Sequence, residues 1–156
     1  MLTTSDHALL NSRITDYFCE QARKTKFDLL VALAPHELVQ AKYPNVRRTR
    51  LRFSDKDYCG CNLYAFMTPQ SRSVTLFWRK LEAQRKRPWR IFAELGWWPV
   101  LKYLTGNLSL EEALARVSDI LGLKIGVVIL PYADAAVDVD TEDDLRLVQQ
   151  ILANNE

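Results

Sequence analysis

Residues Phe27 to Ala34 read FDLLVALA, a nearly unbroken apolar run of strand length. A strand with one wet face alternates apolar and polar residues, because successive side chains point to opposite faces. A run without that alternation needs cover on both faces, the pattern of a central strand in an α/β sheet. The flanking sequence agrees. Asn11 or Ser12 caps a helix to about Lys24, with Ile14, Tyr17, Phe18 and Ala22 along one side. Pro35 starts a short helix that ends before Pro44. The chain has 156 residues, 48% of them hydrophobic, which suits a single domain, 1–156, with a substantial core.

Strands and helices continue to alternate, which predicts α/β architecture throughout. Thr49 to Phe53 alternates, Ser54-Asp55-Lys56-Asp57 is turn chemistry, and Tyr58 to Phe66 is extended, so the three read as a hairpin. Helical stretches follow from about Arg72 to Gln84, from Pro88, and from Trp97 to Leu104. Ser109 with Glu112 forms a capping box that opens a helix to Leu121, stopped by Gly122. Ile125 to Leu130 is a strand and Val137 to Asp140 a short extended piece. Thr141 caps a last helix, Glu142 to about Leu152, whose first turn carries the acids that a helix dipole favours.

Several function classes drop out on composition. No secretory hydrophobic region follows Met1, and no apolar run approaches the roughly 18 residues of a membrane span, so no membrane partner is expected. The three cysteines, Cys19, Cys59 and Cys61, are an odd number. Cys59 and Cys61 share one strand face, but a tetrahedral zinc site wants two more ligands, and His7 and His36 are the sole histidines. Neither a disulfide framework nor zinc is expected, and a cytoplasmic home follows. A net charge of +2 does not call for nucleic acid.

Four segments can carry chemistry. In Ala136 to Leu145, AVDVDTEDDL, Asp138 and Asp140 stand two apart on an extended piece and project the same way. Carboxylates side by side repel unless a cation or solvent separates them, and Mg²⁺ accepts one or two carboxylates together with phosphate oxygens. The plainer reading is a solvated acidic lead into a helix. In Thr4-Ser5-Asp6-His7-Ala8-Leu9 the aspartate follows a strand, at the carboxyl edge where α/β sheets place ligands; as a plain residue it is a turn or cap aspartate, and His7 a half-exposed turn residue. Gly60 in Tyr58-Cys59-Gly60-Cys61-Asn62 marks a β-bulge or a close ligand approach, and Asn62 offers two donors and an acceptor. Arg79, Lys80, Arg85, Lys86, Arg87 and Arg90, interleaved with Trp78 and Trp89, can bind nucleic acid or an anionic small molecule, or form a solvated helix face with buried tryptophans; Arg47, Arg48, Arg50 and Arg52 form a smaller basic cluster.

Together these segments resemble the MobA-like NTP transferase family, which includes the molybdenum-cofactor guanylyltransferases. Ser5-Asp6-His7-Ala8-Leu9 is similar to its strand-end D-x-P-L motif, and Gly60-Cys61-Asn62-Leu63 to its G-G-N-hydrophobic motif with cysteine for the second glycine. AVDVDTEDDL is similar to the D-x-D-T-P-E-D-L element shared with the CMP-sugar synthetases, with Glu142 where proline is common. The resemblance implies a Rossmann-like, three-layer nucleotide-diphospho-sugar transferase (GT-A-like) fold with a mixed sheet. It implies transfer of a nucleotidyl group from an NTP to a small acceptor, with pyrophosphate leaving and Mg²⁺ or Mn²⁺ bridging phosphates. Asp6, Asp138 and Asp140 would hold the metal, with Asp6 and Asp140 catalytic. Gly60, Asn62, Arg85 and Lys86 would contact nucleotide or acceptor.

The family opens on a glycine-rich G-x-G-x-R loop and a lysine that hold the triphosphate. This chain has five glycines, Gly60, Gly96, Gly106, Gly122 and Gly126, none clustered. It starts where the family's fourth strand should be, so the expectation is an N-terminally incomplete domain, inactive without the missing segment. The alternative is a binding module, with homo-oligomers among its partners, that keeps the fold without catalysis.

Overall fold

The structure, a computed structural model, describes residues 1–44, 48–76, 79 and 96–153. Strand β2 (Leu29–Pro35) is the centre of a five-stranded sheet. It pairs antiparallel with β4 (Asp57–Phe66) on one side and parallel with β5 (Ile125–Ile129) on the other. The far edge of β4 carries two short antiparallel strands, β1 (Leu2–Thr3) near Tyr64 and β3 (Leu51–Arg52) near Tyr58. The sheet is therefore mixed, in the order β1-β4-β2-β5 with β3 beside β4.

The unbroken apolar run in β2 has the predicted cause. Leu30, Ala32 and Ala34 pack in one core with Ile14, Phe18 and Ala22 of α1 (Ser12–Arg23), Val39 of α2 (His36–Lys42) and Val148 of α5 (Glu142–Ala153). Leu29 and Leu33 face the opposite way, toward two smaller clusters built on α4 (Leu110–Leu121). Helices thus cover both faces. Phe18 is fully buried, and truncation of such a ring costs about 3–5 kcal/mol.

Local chemistry places the helix ends. Asn11 caps α1 by accepting from the Ile14 amide at 3.1 Å. The Ser109–Glu112 capping box opens α4, and Gly122 closes it with φ +61°. The third helix of the predicted trio is present as α3 (Trp97–Leu104). The other two were expected from Arg72 to Gln84 and from Pro88; most of the first and all of the second, with Trp78 and Trp89, lie outside the described residues.

Two expectations change. The hairpin's first strand is two residues, Leu51–Arg52, shorter than the predicted Thr49 to Phe53. The irregularity expected at Gly60 sits two residues on. Val31 faces Tyr64 and Leu33 faces Gly60, so β4 bulges between them, and Asn62 adopts φ +48°. Asparagine tolerates the left-handed region because its short amide can bond locally.

Candidate functional site

Asp6 leaves β1 in a turn, and its carbonyl accepts the amides of Ala8 and Val139, both at 3.0 Å. The second bond fastens the start of the chain to the segment between a single helical turn at Ala133–Ala136 and α5. Val137 on that segment is fully buried and Val139 packs against the core, so Asp138 and Asp140 face outward together. One carboxylate oxygen from each of Asp6, Asp138 and Asp140 lies within 4.8 Å of the other two. Residues more than a hundred positions apart in sequence meet at one sheet edge. Oδ1 of Asp6 is buried and has no hydrogen-bond partner.

A frame of polar residues surrounds these carboxylates. Arg48 donates to Oδ1 of Asp138, to the Asp138 carbonyl at 2.7 Å and to Oδ1 of Asp144 at 3.1 Å. Its side chain is only 8% exposed, and its Nε is buried without a partner. Asn62, turned by the β4 bulge, donates from Nδ2 to Oδ2 of Asp138 at 3.1 Å. Oδ2 of Asp144 accepts the Thr141 hydroxyl at 2.7 Å and the amides of Thr141 and Asp140 at 3.0 and 3.3 Å. Burial pushes the Asp144 carboxyl up, but the Thr141 hydroxyl, the Arg48 charge and the two amides together hold it below the ordinary aspartate value.

His7 is buried, not half-exposed as its sequence context implied. Its Nδ1 pairs with the Thr3 hydroxyl at 3.3 Å, and its Nε2 has no partner. Burial lowers its pKa against the opposing pull of Asp138 and Asp6. Cys59 and Cys61 are buried, and burial raises both thiols, so neither is a ready thiolate nucleophile or metal ligand.

A cavity of about 180 Å³ opens beside the carboxylates, lined by Arg48, Thr49, Gly60, Asn62, Asp138 and Asp140 among others. A Cβ at Gly60 would touch nothing within 4 Å, so packing does not demand glycine there. Pockets that enclose a drug-sized ligand run to about 300–1,000 Å³. This one is of a size for an ion, waters and a small group. Asp6, Gly60, Asn62, Asp138 and Asp140 are thus gathered at one corner. Arg85 and Lys86 lie outside the described residues.

Arg48, Thr141 and Asp144 are the participants that sequence reasoning did not single out. Asp144 carried a signal, since threonine followed three residues on by an acid is a capping pattern. Arg48 carried none beyond membership of a basic cluster.

No protein-family model matches the sequence, and no curated protein matches it. Among solved structures, a hypothetical transferase structure from Thermus thermophilus superposes with a TM-score of 0.82 at 33% identity, over 92% of this chain and 61% of that one. This chain has a transferase-like α/β fold. It spans about three fifths of the length of that relative. Among the described residues no helix is long and apolar enough to cross a membrane.

Proposed function

We propose that these residues form the metal-holding part of a MobA-like nucleotidyltransferase domain, with the GT-A-like arrangement that goes with it. The observation that carries this reading is the convergence of the Asp6, Asp138 and Asp140 carboxylates, one of which, Asp6, also has a buried oxygen without a partner. An uncompensated buried carboxylate oxygen is costly, and a cation is the simplest group to satisfy it. The donors are all carboxylate oxygens, which suit a hard ion such as Mg²⁺ or Mn²⁺.

In this reading Asp6, Asp138 and Asp140 hold the ion, and Asp6 and Asp140 are the catalytic pair. A divalent ion there supplies neutralisation of the phosphate oxygens of an NTP. Asn62 keeps the Asp138 carboxylate in orientation. Gly60 leaves room on the cavity wall for the nucleotide or for a small acceptor, while Arg85 and Lys86 contact the anionic substrate.

The triphosphate needs more than metal. Transfer of a phosphoryl-type group is mostly positioning, and a misplacement of about 1 Å can cost on the order of 100-fold. Backbone amides in a glycine-rich loop usually supply that positioning. The five glycines here are dispersed. No glycine-rich run in this sequence offers such a cradle.

Calorimetry with Mn²⁺ tests the metal site: weak binding is expected, abolished by Asp138→Ala and by Asp140→Ala. Binding unaffected by both substitutions would place the ion elsewhere. Transfer assays test the chemistry. Residues 1–156 alone should release no pyrophosphate from any NTP, and activity should appear when a segment bearing a G-x-G-x-R loop is joined to them, then disappear on Asp140→Ala. Metal binding with no transfer in the completed protein would favour the non-catalytic binding module.

A further inference from the structure

We propose that Arg48 is an internal counter-cation of this site, and that a divalent ion gains Asp138 by displacing the Arg48 guanidinium. The inference rests on the metal-site reading above and deepens it. Asp138 belongs to two groups at once. It is one of the three clustered carboxylates, and it is the main anchor of Arg48, which bonds both its side chain and its carbonyl. Its second oxygen is engaged by Asn62. A cation approaching Asp138 meets one oxygen held by a positive charge and the other by an amide.

Three features make Arg48 displaceable and not merely structural. Its Nε is buried without a partner, so its present position leaves one donor unsatisfied. Asp144 offers a second carboxylate at 3.1 Å that does not belong to the cluster, so the guanidinium can swing onto it and keep an ion pair. Asp144 is in turn locked by Thr141 and by the Asp140 amide, so it stays in place as the receiving group. A guanidinium and a divalent ion on one carboxylate repel each other, and the near-complete burial of the Arg48 side chain limits solvent screening of its charge. Occupancy by one therefore opposes occupancy by the other. The protein holds its acidic corner together through Arg48, and exchanges that cation for metal.

Mn²⁺ affinity measured by calorimetry and by thermal shift tests this in the full chain. Arg48→Met, which keeps length and removes charge, should bind Mn²⁺ at least about tenfold more tightly than the unaltered protein. It should also be less stable in chelator, with the gap in Tm shrinking as Mn²⁺ is added. Arg48→Met that binds Mn²⁺ equally or more weakly would overturn displacement. Should that variant fail to fold, the unaltered chain still decides. Titration with diamagnetic Mg²⁺ should shift the Arg48 side-chain NMR signals and speed their proton exchange at the concentrations that shift the Asp138 and Asp140 amides. Arg48 signals that stay fixed while those amides titrate would overturn the inference and leave the metal site standing. No metal response in either protein would remove both.

Discussion

Helices α4 and α5 begin with the same local device and use it differently. Each has a hydroxyl cap, Ser109 or Thr141, whose oxygen accepts the amide three residues on, and each has an acid at that third position. At α4 both residues of the box reach further partners or close on each other. Glu112 returns a bond to the Ser109 amide and pairs with Lys102, while Asp55 from the hairpin turn accepts the Leu110 amide at 3.0 Å. At α5 the corresponding Asp144 is drawn out of purely local service to hold Arg48 and the Asp140 amide. The buried side-chain oxygens and nitrogens left without partners among the described residues, on Asp6, His7 and Arg48, all stand in the corner that Asp144 anchors. A closed set of hydrogen bonds marks a helix start built for stability. The α5 cap is closed as well, with Asp144 returning a bond to the Thr141 amide, but the groups packed beside it are not all satisfied.

The sharpest break between the two regions is expected at Arg48. Its side chain is buried between Asp138 and Asp144, and removal of one partner of a buried pair leaves the others uncompensated. Arg48→Met should cost about 3 kcal/mol in urea unfolding without metal, more than any capping residue of α4. A cost below that of Ser109→Ala would mean that the acidic corner is not held by Arg48.

The two caps themselves give a smaller and more discriminating test. Ser109→Ala and Thr141→Ala should each cost about 1 kcal/mol, the usual worth of such a cap. Their effects on Mn²⁺ should separate. Loss of the Thr141 hydroxyl frees Asp144 and loosens the Asp140 turn, so metal affinity should change several-fold, roughly in line with one charge-assisted hydrogen bond. Ser109→Ala should leave it unchanged. Equal effects on calorimetric affinity would dissolve the distinction between the two helix starts.

What could be read in the sequence follows the same division. The two-sided strand, the caps at Asn11 and Ser109 and the stop at Gly122 are written in neighbouring residues, because periodicity and capping act over a turn or two. The approach of Asp6 to Asp138 and Asp140 was legible through motif resemblance and the habit of strand ends to share an edge. Arg48 was not legible. Its partners are about ninety residues away, and nothing local distinguishes it from Arg50, which pairs with Asp57 across the adjacent hairpin. The bulge was legible but misplaced by two residues, since glycine is the usual signal for it and here asparagine takes the left-handed turn. His7 looked like a half-exposed turn residue because burial is a property of the packed whole.

The smallest expected effect concerns pH. Bonds from Lys102 and from the Ser109 amide hold the Glu112 carboxyl below the ordinary glutamate value. A group whose folded pKa is depressed stabilises the protein above its unfolded pKa and loses that contribution as pH falls through the folded one. The contribution of Glu112 is thus fully present above about pH 4.3 and fades below it. Solvent surrounds this group and screens the pair, so the acid limb it adds is shallow. Glu112→Gln keeps an acceptor for the Ser109 amide and removes the charge. Its urea midpoint should fall slightly short of the unaltered protein at pH 6, and the gap should narrow toward pH 3. A difference that persists undiminished at pH 3 would show that shape, not charge, makes the α4 box work.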